Sequence, residues 1–290
     1  MKTSQRLIAL LAAAVAACAL LSSPASAATD QAATDHHHGV RPLPQAHAHN
    51  DYEHARPLFD ALDQGFTSVE ADIYLVDGQL LVGHNAEDLK PERTLEALYL
   101  DPLRDRVLRN HGGVYPRPAA FQLLVDVKSE SVSTYAALEK RLRDPRYSFL
   151  FTSYFFGHVQ RHAVTAVLSG NRPKDVLLRE RYRLAFYDGR ILDTSDLGLG
   201  SDPRVTPLVS DNWTGLFTWT GAGPFPAAER ARLHELVDRA HAAGQRIRFW
   251  ATPDAAGASR DALWRELADA GVDHLNTDDL SGLAVFLRGR

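Results

Sequence analysis

Hydrophobic residues fall in two rhythms along this chain. Short apolar runs alternate with longer stretches in which apolar side chains return every three or four positions. The short runs predict strands over Ala46–His49, Thr67–Tyr74, Phe121–Val127, Phe149–Ser153, Val176–Leu178, Thr206–Val209, Ile247–Ala251 and His274–Asn276. The longer stretches predict helices over His54–Gln64, Arg93–Asn110, Val132–Arg143, His158–Leu168, Ala227–Ala243, Ser259–Ala270 and Leu280–Leu287. The helix over Ala227–Ala243 is the clearest, with Leu233, Val237 and Ala240 on one face and charged residues on the other. Gly65, Gly244 and Gly271 each follow a predicted helix, where a left-handed cap belongs. Strand–helix alternation implies parallel strands joined by crossovers. Eight such strands in about 250 residues fit a (β/α)8 TIM barrel, placed at residues 45–290 as a single domain. An open doubly wound sheet is the alternative. It usually carries a glycine-rich strand-to-helix turn, and no G-x-G-x-x-G or Walker pattern occurs.

The amino terminus follows neither rhythm. Lys2 and Arg6 precede an uncharged apolar run, Leu7–Leu21, and Ala25-Ser26-Ala27 offers small residues around a cleavage point. This is the layout of a secretory signal peptide over residues 1–27, and the run is short for a membrane-spanning helix. The protein is therefore expected to be secreted or extracytoplasmic. Val15-Ala16-Ala17-Cys18 also resembles a bacterial lipoprotein signal, in which Cys18 would be acylated; the apolar Ala19-Leu20-Leu21 after it weighs against that. Residues 28–44 have no apolar period and are expected to form a mobile leader. Its His36-His37-His38 is more simply a solvated tract than a metal site. Cys18 is the one cysteine, so removing the peptide leaves no disulfide framework and no thiol nucleophile.

Composition narrows the partners. The 290 residues are 23% charged and 45% hydrophobic, an ordinary globular balance. A domain of this length buries enough surface to need no disulfide or metal staple. Basic residues number 32 against 36 acidic ones and form no block, which argues against a nucleic-acid partner held through its phosphates. No protein partner is inferred.

In a parallel barrel, chemistry collects at the carboxyl ends of the strands. His47 and His49 share one face of the first strand, so periodicity does not choose between them. Glu70 and Asp72 also share a face. Turned into the barrel, the two carboxylates repel unless a proton or a cation intervenes, and oxygen ligands at this spacing suit Ca²⁺ or Mg²⁺. Turned outward they are solvated, and Val69, Ala71 and Ile73 fill the interior instead. Asp77-Gly78 marks a hairpin that carries His84 towards the same rim, unless it is a plain surface hairpin. Asp126 and Lys128 share a face as well, either as a simple ion pair or as an anion-binding lysine beside a cation. Converging, these groups are what phosphodiester cleavage requires. A cation and a lysine offset the charge on phosphoryl oxygens, one imidazole takes a proton from the attacking hydroxyl, and the other gives one to the leaving oxygen.

With these residues assembled, the chain resembles the glycerophosphodiester phosphodiesterase family, within the larger group that includes phosphatidylinositol-specific phospholipase C. His49-Asn50 looks like the family's first catalytic pair, Glu70-x-Asp72 like its metal pair, and His84 after the Asp77-Gly78 hairpin like its second catalytic histidine. Asp126-x-Lys128 looks like the third ligand with its phosphate-binding lysine. Phe249-Trp250-Ala251-Thr252 is similar to the late tryptophan segment, and Gly271–Asp278 to the closing strand. The likeness spans about residues 46–280 and implies a TIM barrel. It also implies catalysis by His49 and His84, Ca²⁺ or Mg²⁺ on Glu70, Asp72 and Asp126, and substrate contact by Asn50, Lys128 and Trp250. Three departures point to an outlying branch: Asn50 where arginine is common, Asp126 where glutamate is usual, and Asp51-Tyr52-Glu53-His54 in place of Pro-Glu-Asn. They bear on the substrate more than on the reaction.

The expectation is an exported, metal-dependent phosphodiesterase acting on glycerophosphodiesters or a related phospholipid headgroup, with transient contact to a membrane surface. The alternatives are a metal-independent phospholipase C-like lyase and a non-catalytic barrel that binds anionic headgroups; Asn50 in the arginine's place is the best support for the last. Trp213, Phe217 and Trp219 are expected to pack the next helix, the simpler reading, or else to line an apolar pocket or touch lipid. Arg248 shares the face of Trp250 and either assists anion binding or is a plain surface residue. His111, His158, His162, His234 and His241 receive no role.

Overall fold

The computed structural model describes residues 39–290. The expected signal peptide, the Cys18 alternative, His36–His38 and the leader up to residue 38 lie outside the described residues. From there the chain runs β1 (Leu43–Ala48), α1 (Phe59–Asp63), β2 (Phe66–Val76), β3 (Gln79–Val82), α2 (Asp101–Arg109), β4 (Phe121–Val127), α3 (Ser131–Leu142), β5 (Ser153–Phe155), β6 (His158–Gln160) and β7 (Val164–Gly170). It continues through α4 (Lys174–Arg179), β8 (Tyr182–Arg183), β9 (Ala185–Arg190), β10 (Leu208–Asn212), α5 (Trp213–Leu216), α6 (Ala227–Ala242), β11 (Arg246–Trp250), α7 (Ala258–Asp269), β12 (His274–Thr277) and α8 (Leu280–Arg288). Eight strands are parallel neighbours in the order β1-β12-β11-β10-β9-β7-β4-β2, and β1–β2 pairing closes the ring. This is a (β/α)8 barrel. β3 is an antiparallel extension of β2, with Val76 opposite Gln79 across the Asp77-Gly78 turn. No helix among the described residues is long and apolar enough to cross a membrane.

Alternation along each strand sorts the side chains. Val69, Ala71 and Ile73 of β2 and Leu123, Val125 and Val127 of β4 face outward and join the core beneath the helices. The barrel interior is split. On the side of β4, β7, β9 and β10 one layer is apolar, with Leu124, Val167, Phe186 and Leu208 packed together. Tyr154 and Val159, from the small antiparallel sheet β6-β5-β8, cover this plug at the amino-terminal end. Towards β1, β2, β11 and β12 the interior is polar. Ser68 Oγ lies 2.7 Å from His47 Nδ1 and accepts from Gln122 Nε2 at 3.0 Å. His274 is fully buried with neither ring nitrogen hydrogen-bonded, and burial holds its pKa well below the ordinary imidazole value.

Two of the eight barrel strands stand elsewhere than predicted. The fourth is β7, which overlaps the end of the predicted helix His158–Leu168. Both faces of this strand are buried, so its apolar residues run on without alternation and imitate a helical segment. The fifth is β9, which no expectation covered; Asp188, Gly189 and Arg190 give its end the look of a loop, yet Asp188 and Arg190 pair inside the barrel at 2.7 Å. The predicted strand Phe149–Ser153 is instead a short 3-10 turn and a single bridge from Phe151 to Val164, and Val176–Leu178 lies in α4. Leu43 and Pro44, assigned to the leader, begin β1. The helix predicted from His54 starts only at Phe59, past Pro57.

Candidate active site

Glu70 and Asp72 both point into the barrel at the carboxyl end of β2, which excludes the outward alternative. Glu70 Oε2 accepts from the Arg248 guanidinium of β11 at 2.8 Å and lies 3.3 Å from His47 Nε2. Arg248 is thus buried rather than a surface residue, and its Nε also donates to Asn276 Oδ1 at 2.9 Å. Burial alone would raise the Glu70 carboxyl; the Arg248 charge and the His47 hydrogen bond prevail and hold it well below the usual carboxylate range. Burial and the same arginine push His47 down to about 4. His47 is therefore a neutral, enclosed partner of Glu70, and the choice that periodicity left open falls to His49 as the histidine at the mouth.

Asp72 is fully buried and more crowded. Its Oδ2 takes the Tyr52 hydroxyl at 2.7 Å and lies 3.0 Å from Lys128 Nζ and 3.4 Å from His84 Nδ1. Burial and repulsion from Glu70 push it up to about 6, against the pull of Lys128. Asp126 sits directly opposite Asp72 in the β2–β4 register, with its Oδ1 3.2 Å from the same ammonium. Burial opposes the charge on Lys128, but Asp126 and Asp72 hold its pKa above the usual value.

Glu70, Asp72 and Asp126 each offer an oxygen within 4.8 Å of the others. Two features fit this trio to a hard divalent cation. Asp72 Oδ1 is buried without a hydrogen-bond partner, and such an atom is costly to leave unmatched. Gly170, at the end of β7, leaves space beside Asp126; a Cβ there would stand 2.2 Å from its Oδ1. An all-oxygen donor set suits Ca²⁺ or Mg²⁺ rather than a softer metal.

A cavity of about 370 Å³ opens over the cluster. Glu70, Asp126, Lys128, His49 and Trp250 line it, with Arg190 on the far wall. Arg190 is fixed by Asp188 Oδ2 at 2.7 Å and by the hydroxyls of Ser169 and Ser210, each at 3.0 Å. His49 follows β1, and its Nδ1 lies 2.8 Å from Asp278 Oδ1 beyond the end of β12. Burial of the ring favours its neutral form, yet the Asp278 hydrogen bond and the Glu70 charge keep its pKa above the ordinary value. With Nδ1 turned to Asp278, Nε2 is the nitrogen left for chemistry.

His84 and Asn50 do not line this cavity. The β2–β3 hairpin delivers a half-exposed His84 across Asp72 from it, with Nδ1 3.1 Å from the Tyr52 hydroxyl. The Tyr52 proton goes to the charged Asp72 oxygen, so the Tyr52 oxygen accepts from His84 Nδ1–H and leaves Nε2 of His84 free. Asn50 adopts φ +45°, a left-handed turn that asparagine tolerates. Its side chain lies 2.7 Å from the Tyr52 hydroxyl and 3.1 Å from His49 Nδ1, in a bracing position between the two. Tyr52, Asp278 and Arg190 went unassigned in the sequence. Tyr52 and Asp278 do stand inside segments that entered the resemblance, Asp51-Tyr52-Glu53-His54 and the closing strand; nothing local marks Arg190. The aromatic loop does not reach the cavity or the surface. Trp213 is buried and stacks on Phe217 at 4.1 Å, and Trp219 stacks on Phe225 at 4.4 Å.

A closed (β/α)8 barrel with acids, a lysine and histidines at its mouth is of the phosphodiesterase type. Two family models match the chain: the AIM6-like phosphodiesterase domain over residues 34–188 and the glycerophosphoryl diester phosphodiesterase family over residues 246–281. The chain belongs to the AIM6-like phosphodiesterase domain family. It is 33% identical to altered inheritance of mitochondria protein 6 of Eremothecium gossypii, covering 84% of this chain and 69% of the relative. It is 30% identical to the protein of that name from Lachancea thermotolerans, covering 83% and 65%. Two solved structures share the fold. A calcium-dependent phosphoinositol-specific phospholipase C from Pseudomonas sp. matches with a TM-score of 0.52 at 14% identity, over 80% of this chain and 87% of that one. A glycerophosphoryl diester phosphodiesterase from Parabacteroides distasonis matches with a TM-score of 0.51 at 13% identity, over 86% and 87%. The kinship expected from the motifs holds.

Proposed function

We propose that the protein is an exported, divalent-cation-dependent phosphodiesterase that cleaves glycerophosphodiesters or related phospholipid headgroups. The observation that carries this reading is the meeting of Glu70, Asp72 and Asp126 within 4.8 Å, bridged by Lys128, at a mouth that also holds His49 and His84. With Arg248 and Lys128 counted, the three carboxylates leave one net negative charge. A bound dication reverses that to one net positive charge, which matches the single negative charge of a phosphodiester and offsets it at the phosphoryl oxygens.

Lys128 holds a phosphoryl oxygen from the β4 side, and Trp250 walls the cavity against bulk water. His49 and His84 form the acid–base pair. Water or a neighbouring substrate hydroxyl attacks phosphorus, and one imidazole accepts its proton. The bond from phosphorus to the departing alcohol oxygen breaks, and the other imidazole protonates that oxygen. Asp278 orients His49 and Tyr52 orients His84. Asn50 acts by bracing these two rather than by touching phosphate.

The test is a panel of diesters with the purified protein, with and without chelator. Release of glycerol phosphate or a headgroup that stops on chelation and in the His49→Ala, His84→Ala double variant supports the reading; turnover that survives both refutes it. One observation favours a metal-free variant of the same chemistry: Lys128 already spans Asp72 and Asp126 at 3.0 and 3.2 Å. There, chelation leaves turnover intact while the histidine changes abolish it. Mass spectrometry of the mature amino terminus tests export, with a start at Ala28 expected.

A further inference from the structure

The end of the barrel opposite the cavity is closed by the β6-β5-β8 sheet, and its outer surface is unusual. Phe155 and Phe156 are 56% and 57% exposed, and Tyr182 beside them is 37% exposed. The rings form one cluster, with Phe155 4.7 Å from Phe156 and 6.2 Å from Tyr182. Phe155 pairs with His158, so Phe156-Gly157 is a two-residue hairpin turn, with φ of +44° and +90°. Such turns take Asn-Gly, because positive φ strains a bulky side chain. Phe156 therefore combines backbone strain with exposure, and burial within the chain offsets neither.

Arginines surround the rings. Arg181 lies 5.6 Å over Phe156 and Arg143 lies 4.6 Å over Tyr182. Arg204 donates to Gly157 O at 3.2 Å. Arg143 and Arg204 pair with Glu139 and Asp202, while the exposed Arg179 and Arg181 have no carboxylate partner among the described residues. The chain as a whole carries a formal charge of −4, so this basic and aromatic cluster runs against the overall balance. The polypeptide also enters the barrel at this end, where β1 begins at Leu43.

We propose that this end of the barrel docks on an anionic phospholipid surface. Phe155 and Phe156 enter the boundary between headgroups and acyl chains, and Arg179 and Arg181 face lipid phosphates. The cavity opens at the other end, so a docked molecule takes its diester from the water rather than from the bilayer beneath it. That consequence rests on the proposed function; the docking itself does not.

The purified protein serves for the test. Co-sedimentation is measured with vesicles of phosphatidylcholine alone and of phosphatidylcholine with phosphatidylglycerol. Binding is expected to the anionic vesicles only and to weaken with salt. Phe156→Asn installs the residue the turn prefers, so Tm is expected to hold or rise while vesicle affinity falls about tenfold. The pair Arg179→Glu, Arg181→Glu is expected to abolish binding to anionic vesicles. Three results overturn the proposal: no sedimentation with anionic vesicles, unchanged affinity in Phe156→Asn, or a dimer by light scattering that Phe156→Asn dissociates, which assigns the face to a second copy. None of these readouts involves turnover, so failure of the docking and failure of the proposed activity are separable.

Discussion

Replacing Arg248 by methionine removes one of the two cations that hold the acidic cluster together and keeps most of the side-chain volume. The guanidinium lies 2.8 Å from Glu70 Oε2, and both side chains are nearly excluded from solvent, at 4% and 6% exposure. At that separation and an effective dielectric of ~20, the Coulomb attraction is about 6 kcal/mol. Relief of the arginine's own desolvation returns a part of it, and loss of the bond to Asn276 removes about 1 kcal/mol more. The expected net destabilisation is about 3–5 kcal/mol, the range for stranding one partner of a buried pair. Its pH dependence has a definite sign. In the parent, the depressed Glu70 value contributes stability that is present above the unfolded carboxyl value and lost as pH falls through the folded one. Without Arg248, burial raises the Glu70 value, and the deficit is largest near pH 8 and shrinks towards pH 5 as the carboxyl takes up a proton. Urea unfolding followed by tryptophan fluorescence, in chelator at pH 8 and pH 5, reads both effects. A variant within about 1 kcal/mol of the parent at pH 8, or one with the same deficit at both pH values, refutes the reasoning.

Asp278→Asn removes the charge that orients His49 and keeps its pKa up; kcat/KM on a cleaved diester is expected to fall about 10–100-fold with little change in Tm, and unchanged kinetics would count against the pairing. Tyr52→Phe takes the donor from Asp72 and the brace from His84, with an expected loss of about tenfold in kcat and about 1–2 kcal/mol in stability, read by steady-state kinetics and urea unfolding. Gly170→Ala drives a Cβ against Asp126 at φ +66°, so calorimetric Ca²⁺ or Mg²⁺ binding is expected to weaken at least tenfold, and parental affinity would place the cation elsewhere. His47 and His274 are both depressed, so the stability they permit is full above pH 6.5 and is lost as pH falls. For His47, held at about 4, the loss between pH 7.5 and pH 5 is about 2 kcal/mol. His274→Leu is expected to lose less over that interval than the parent, and an equal loss would show that His274 is not the source.

The chemistry of this site was legible wherever it depends on near neighbours. Glu70 with Asp72, and Asp126 with Lys128, follow from the two-residue period of a strand, and His84 follows from a hairpin turn six residues before it. These relations are set by local backbone geometry and survive in any fold that keeps the strand. The misplaced strands have the converse cause. β7 is covered on both faces, and β9 carries its polar end inside the barrel, so neither shows the periodicity that burial on a single face imprints.

What the sequence determined by itself was the alternation of strands and helices, the shared faces of the paired acids and the histidines, and through them the family. Which face turned inward was decided by closure of the sheet, and so was every contact between distant strands. Arg248 meets Glu70 across 178 residues, and His49 meets Asp278 across 229, because β12 pairs with β1 only when the eighth strand returns to the first. A one-dimensional pattern records what a residue's neighbours along the chain require of it. The charge that a buried carboxylate needs can arrive from any strand, and only the closed barrel settles which one supplies it.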